Sequence, residues 1–368
     1  MKKLLLFILL SILFISCQND KPELDTKNEV KQKQDSISNE LEQEFNSLLE
    51  FTEELKLKPD IYKISSQKKS TITTKKGTIL NVNPANLKTI DNSKLGDSIT
   101  VEIIEATEKY EFVLNNLQTV SNGKILESGG SYFINMTSEG KQLEIIKDGI
   151  SVQFPKISEK KMELFKGNRN ELNQMNWKPL QKDLKEQITK SNSINKITTE
   201  EEILEDEVFY DYENDPNYEL DSVSEGPFTL VYYKKKGTLN QSSKKLKNTF
   251  YEEIKLLELG WYNIDHFRKF TTTIPLTLNS KQKINFAKIF LVFKDEMVVL
   301  DHFYGKKSNT IQIPKDVEVK ILAYSINNIG LTFCELDFET NQNQMEIFLN
   351  FKKTTKEEIE NAIKSLKN

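Results

Sequence analysis

Between residues 61 and 351 the apolar side chains of this chain recur mainly at every second position, in short runs cut by glycine and asparagine turns. A period of two sends alternate side chains to opposite faces of a strand, so each run buries one face and wets the other. In the first half these runs are 70–74, 78–82, 98–106, 132–137, 142–146 and 151–154. Turn chemistry separates them at Lys76-Gly77, Ser121-Asn122-Gly123, Ser128-Gly129-Gly130, Glu139-Gly140 and Asp148-Gly149. Frequent glycine turns between alternating runs argue for a sandwich or barrel. Seven further runs, 272–278, 286–293, 297–303, 310–313, 317–326, 331–338 and 345–351, fit an immunoglobulin-like sandwich. The fold class expected is mainly β: two β-sandwich modules with an N-terminal helix and a C-terminal helix.

The helices are read from a different period. Ile37, Leu41, Phe45, Leu48 and Leu49 recur at helical spacing and predict a helix over 36–56, after a polar stretch at 18–35 that reads as a flexible tether. Thr354-Thr355-Lys356-Glu357-Glu358 has the form of a capping box, and Ile359, Ile363 and Leu366 then make an apolar stripe that should dock on the second sandwich. Residues 158–190 are less regular, with Leu180, Leu184 and Ile188 suggesting a short helix. No lysine or arginine occurs over 197–233, and the stretch from Glu200 to Asp221 is strongly acidic, which reads as a solvated linker. The expected layout is residues 1–16 signal peptide, 17–57 lipid tether and helix, 58–190 first sandwich, 191–227 acidic linker, 228–353 second sandwich and 354–368 C-terminal helix.

At the amino terminus Met1-Lys2-Lys3 precedes an apolar run from Leu4 to Ile15 broken only by Ser11. A bilayer span needs about 20 apolar residues, so this run is of secretory length. It closes on Phe14-Ile15-Ser16-Cys17, which resembles the lipobox of bacterial lipoproteins, with Phe14 where leucine is usual. The resemblance implies cleavage before Cys17 and a diacylglyceryl thioether on its sulfur. Two or more acyl chains anchor stably where one does not. The membrane partner expected is therefore reached through Cys17, with the body of the protein in water.

The chain has 368 residues, which suggests two modules, and a formal net charge of −4. Arg169 and Arg268 are its arginines, so the basic patches with guanidinium forks that mark nucleic-acid binders are missing from the sequence. With Cys17 taken by lipid, Cys334 is left without a disulfide partner in the same chain. It shares a strand face with Leu336 and Phe338 and reads as a small buried apolar residue. A fold exported without disulfides must be held by its core.

Two stretches together carry a family resemblance. One holds Gly77-Thr78-Ile79-Leu80-Asn81-Val82, Asn115-Asn116-Leu117-Gln118-Thr119-Val120-Ser121-Asn122-Gly123, Leu126-Glu127-Ser128-Gly129-Gly130, Phe154-Pro155, Met162-Glu163-Leu164-Phe165-Lys166-Gly167 and Asn176-Trp177. The other holds Leu259-Gly260-Trp261-Tyr262-Asn263-Ile264-Asp265-His266-Phe267 and Leu291-Val292-Phe293-Lys294. The pair resembles a family of functionally uncharacterised Bacteroidetes (Flavobacteria-type) envelope lipoproteins with tandem β-sandwich modules. The first module is also distantly similar to the β-sandwich of ankyrins and netrin receptors. These motifs are turns and tryptophan anchors, and the resemblance implies a fold and an outer-membrane location, on the periplasmic face or the cell surface, but no catalytic residue. It also implies O-glycosylation at Asp-Ser-aliphatic triplets, offered by Ser36, Ser98 and Ser222; Ser36 reads equally as a helix N-cap.

Candidate chemistry is sparse. His266 and His302 are the two histidines, each preceded by aspartate, without the tight spacing of a zinc site. Asp211-Tyr212-Glu213-Asn214-Asp215 alternates carboxylates as a calcium loop does, but Pro216 and Ser222 stand where an EF-hand needs glycine and glutamate. Gly96-Asp97-Ser98-Ile99-Thr100 lacks the second glycine of a nucleophile elbow. Trp177 and Trp261 read either as sugar-stacking platforms or as core anchors. No metal or cofactor is expected. The role expected is binding or scaffolding toward an envelope protein or glycan, without catalysis. The alternatives are a carboxylate-based glycan hydrolase, a glycan-binding protein, or an envelope assembly factor.

Overall fold

The computed structural model describes residues 23–180, 218–224, 230–235, 242–245 and 250–366 apart from Glu252, with side chains from Ser38 to Leu180 and again from Phe250. Two β-sandwiches account for most of it, with a helix near each end of the chain. The expected fold class is therefore the observed one. All seven runs of the second half are strands: Thr273–Ser280, Ala287–Phe293, Val299–Tyr304, Thr310–Pro314, Glu318–Asn327, Gly330–Glu339 and Met345–Leu349.

The first sandwich packs a 9-stranded sheet on a 4-stranded one. The larger follows the path Asp60–Ser65, Ser98–Ala106, Lys124–Ser138, Gly260–Phe267, Glu163–Arg169, Met175–Pro179. Between the layers lie Leu80, Val82, Ile99, Val101, Tyr132, Ile134, Met136, Val152 and Phe154, all nearly inaccessible. The second sandwich sets Thr310–Pro314, Thr273–Ser280 and Met345–Leu349 against a 5-stranded sheet. One of its pairings, Thr273–Ser280 with Met345–Leu349, is parallel. Alternation then fails informatively in Ala287–Phe293, where every residue is buried. Its odd positions Ala287, Ile289, Leu291 and Phe293 fill the sandwich, while Phe290 and Val292 face a third core.

That third core changes the domain layout. It gathers Phe112, Leu117, Leu126, Phe165 and Trp177 of the first half with Phe290, Phe303, Leu322 and Tyr324 of the second. Backbone bonds cross between the halves, from Thr119 N to Val299 O at 2.7 Å and from Ser128 N to Met297 O at 3.0 Å. The two sandwiches are thus fused rather than strung on a linker. The boundary expected at 228 also moves, because Ile254–Leu256 and Gly260–Phe267 pair into the first sandwich and not the second. Those two strands close the 4-stranded sheet and the middle of the 9-stranded one, a long-range pairing that no local pattern announces. Tyr218–Ser224, placed by sequence in the linker, forms a separate 3-stranded antiparallel sheet with Leu230–Lys235 and Ser242–Lys245. The rest of the acidic linker, with Asp211–Asp215, and the helix expected at Leu184–Ile188 lie outside the described residues.

Other departures have local causes. Residues 163–169 and 175–179 are strands rather than irregular chain, since their edge and half-buried positions blur the alternation. The first helix, α1, runs Glu23–Glu54 and so takes in most of the expected tether. Glutamate, lysine and glutamine are good helix formers, and polarity alone does not make a segment irregular. A short helix α2 (Lys109–Leu114) follows the strand Ser98–Ala106. At the carboxyl end α3 (Lys356–Lys364) starts at Thr355, whose hydroxyl accepts from Glu358 N while the Glu358 side chain returns to the cap, as the capping box predicts. Its stripe of Ile359, Ile363 and Leu366 is buried in the third core, beside α2, so it seals both sandwiches.

Candidate functional site

A surface cluster of charged groups lies where Gly260–Phe267 meets Lys124–Ser138. Antiparallel register sets His266 opposite Glu127. The Glu127 carboxylate, mostly covered, receives Lys160 Nζ at 2.6 Å and 2.7 Å, with His266 Nε2 at 3.5 Å and Arg268 Nε at 3.8 Å. Arg268 also donates from Nε to both oxygens of Glu296 at 2.9 Å, and this carboxylate raises the guanidinium further above its already high ordinary value. Two carboxylates are therefore matched by lysine and arginine of the same chain. Such a cluster fixes the end of one sandwich against the Glu296 turn of the other, and it offers water a charged but neutralised surface.

One position along the same strand turns inward. Asp265 is fully buried at a bulge where the register shifts between Asn263 and Asp265. Asn263 Nδ2 donates to its Oδ2, and Ser128 and Ser131 hydroxyls each donate to Asn263 Oδ1 at 2.8 Å. Oδ1 of Asp265 has no partner among the described residues. Burial pushes this carboxyl well above its ordinary value, which favours its neutral form. Gly129 permits the arrangement: a Cβ there would stand 2.5 Å from the Tyr251 hydroxyl and 2.9 Å from Ile264 O. Burial in turn raises Tyr251 to about 12. Apart from Asp265 Oδ1, the polar groups here answer one another.

A second internal charge lies under α1. Lys288 Nζ sits 2.5 Å from Asp301 Oδ1 with both side chains inaccessible. Burial lowers the lysine to about 8, against the attraction of Asp301. The backbone carbonyl of Asp301 accepts from Gln174 Nε2 at 3.1 Å, which ties it to the first sandwich. Next to it His302 is buried, its Nε2 without a partner among the described residues, and burial lowers it to about 4.

The residues singled out by sequence are scattered. Trp177 is fully buried, its indole N–H donating to Gln118 O at 2.6 Å, so it is a core anchor with no face for a sugar. Trp261 is half-buried and packs at 5.3 Å on Phe133. His266 and His302 belong to different sandwiches, and among the described residues no three His, Cys, Asp or Glu side chains converge as metal ligands. Cys334 is buried in the second sandwich, and burial raises its thiol. Ser98 is exposed at the first position of its strand. Ser36 falls within α1 and Ser222 within Tyr218–Ser224, where side chains are not described, and Cys17 precedes the described residues.

Sequence reading missed Lys288 and noted Asp301 only as the aspartate before His302. The signal was present: a lysine inside the apolar run Ile284–Phe293 and an aspartate inside Met297–Phe303, each where only apolar residues are expected. One concavity of about 420 Å³ is lined by Asn39, Glu42, Gln43, Asn46, Ser47 and Glu50. All six belong to α1, so it has a single wall. No helix among the described residues is long and apolar enough to cross a membrane. No protein-family model matches this chain, and no curated protein matches its sequence.

Proposed function

We propose that this chain is a lipid-anchored cell-envelope protein, tethered at Cys17 to the outer membrane, with a non-catalytic binding or scaffolding role toward an envelope protein or glycan. The observation that carries the reading is the placement of α1. It begins six residues after Cys17 and is about 48 Å long at 1.5 Å per residue. Its last turns bury Phe45, Leu48, Phe51 and Leu55 in the core that both sandwiches share. A lipid on Cys17 would be separated from this helix by only residues 18–22 of the chain. The apolar run closed by Ser16-Cys17, and the resemblance to Bacteroidetes envelope lipoproteins, support the anchor and the compartment.

The test is metabolic labelling with an alkyne fatty acid, detergent phase partition and crosslinking in native cells, comparing the natural chain with Cys17→Ala. Label in the natural chain, loss of label and detergent partition in the variant, and a crosslinked partner recovered only from anchored protein are the expected results. Unlabelled protein in the aqueous phase overturns the anchor. Turnover of an envelope glycan by the purified protein overturns the non-catalytic role.

A further inference from the structure

Lys288 and Asp301 do not meet as an ordinary ion pair. Their strands, Ala287–Phe293 and Val299–Tyr304, are antiparallel neighbours in which Phe290 faces Asp301 and Phe303 faces Lys288, so the two charged residues are diagonal on one face. Nζ stands 2.5 Å from Oδ1, yet among the described residues neither carboxylate oxygen is aligned with a hydrogen-bond donor and Nζ has no aligned acceptor. A buried charge pair is retained when aligned hydrogen bonds offset the desolvation of both ions. Here that compensation is missing. Instead the amine lies over the Phe303 ring at 4.1 Å and the Phe290 ring at 5.1 Å, in a site closed to solvent.

The contact places Nζ no more than about 3.7 Å from Cγ, since a C=O bond is about 1.23 Å long. Reacting atoms held at roughly 3–3.5 Å are already near attack, and a fixed geometry of this kind replaces a very high concentration of free reactants. We infer that Lys288 and Asp301 condense to an intramolecular isopeptide bond that covalently staples the two strands. Moving one proton from the ammonium to the carboxylate yields amine and carboxylic acid, the forms that burial favours because neither is charged. Arg169 and Lys307 act in the same direction, their positive charge disfavouring the ammonium. The Nζ lone pair then attacks Cγ, forming the C–N bond. The C–OH bond breaks, and the hydroxyl leaves as water with a proton from nitrogen. No oxidant or cofactor enters, and two buried charges are replaced by one neutral amide. An exported chain whose two cysteines are a lipid site and a buried thiol gains in this way a cross-link that no reductant opens.

The test is mass spectrometry of the natural full-length chain purified from folded protein, then denatured and digested with trypsin. The expected product is a branched peptide in which residues 284–294, uncleaved after Lys288, are joined to residues 295–306, lighter than the two together by one water. Asp301→Asn should give the same branched peptide by loss of ammonia from its own sequence, and Asp301→Ala should give separate peptides cleaved after Lys288. Recovery of residues 284–288 and 295–306 as unlinked peptides from the folded natural protein overturns the inference. A loss of water that maps to any other residue overturns it as well.

Discussion

The Tyr324 hydroxyl donates to the Thr52 hydroxyl at 3.0 Å, and Thr52 donates in turn to Leu48 O at 2.8 Å, so a strand of the second sandwich is bonded through a buried relay to the backbone of α1. Phe51 stacks edge-on against the same Tyr324 ring at 5.3 Å. Burial holds this phenol far above its ordinary value, so it remains a donor at any working pH. Removing the donor by Tyr324→Phe should cost about 1 kcal/mol in urea unfolding. Thr52→Val should cost more, roughly 1–3 kcal/mol, because it strands a buried hydroxyl. The double variant should lose less than the two together, and strict additivity would show that the relay is not shared.

Leu48 is inaccessible in the core where both sandwiches meet α1, α2 and α3. Leu48→Ala should destabilise by about 2–5 kcal/mol. Because the core is common, both sandwiches should unfold together. Hydrogen exchange read at Ser98–Ala106 and at Glu318–Asn327 through a urea series reports one from each. The two strands should lose protection at the same midpoint in the natural chain and in the variant; separate midpoints would mean independent modules.

His302 makes stability fall in acid. Folded, burial holds it at about 4, whereas an unfolded histidine titrates near ~6.5. Between these values the unfolded chain binds a proton that the folded chain refuses, so stability drops as pH falls through this window. At about 1.4 kcal/mol per pH unit, the upper limit is roughly 3 kcal/mol. His302→Gln should flatten that part of the profile, measured as urea midpoints at neutral pH and near pH ~4.5. A variant with the same acid loss as the natural chain would place the effect on other groups.

Asp265 acts in the opposite direction. Its folded carboxyl is raised well above the usual carboxylate range, so its proton stabilises the fold fully below about 3.9 and that contribution is lost as pH rises. Asp265→Asn keeps an acceptor for Asn263 Nδ2 and removes the ionisation. The variant should match or trail the natural chain in acid and exceed it at mildly alkaline pH, with a flatter profile. Lower stability of the variant across the whole range would show that a carboxylate, not a carboxylic acid, is needed there.

Much of the architecture was legible because it is local. The runs read at 317–326 and 331–338 fall within one residue of the strands Glu318–Asn327 and Gly330–Glu339, and the Thr355–Glu358 capping box announces α3 from four residues. The expected two-domain partition fails at Gly260–Phe267, whose partners Lys124–Ser138 and Glu163–Arg169 lie far upstream in the chain. Its composition suits either sandwich equally. The same limit hid the clustering of Glu127, Lys160, His266, Arg268 and Glu296, which come from four separate stretches.

By itself the sequence determined the strand periods, the helix cap, the apolar run that precedes Ser16-Cys17 and the shortage of cysteine for disulfides, all of them read from the chain without its fold. Only the tertiary structure decided that the two sandwiches share one core, that Trp177 is sealed from any sugar, and that Lys288 lies against Asp301. Those outcomes depend on which strands pair and which faces close on each other. Apolar burial drives that closure without directionality, so period and composition cannot specify its partners.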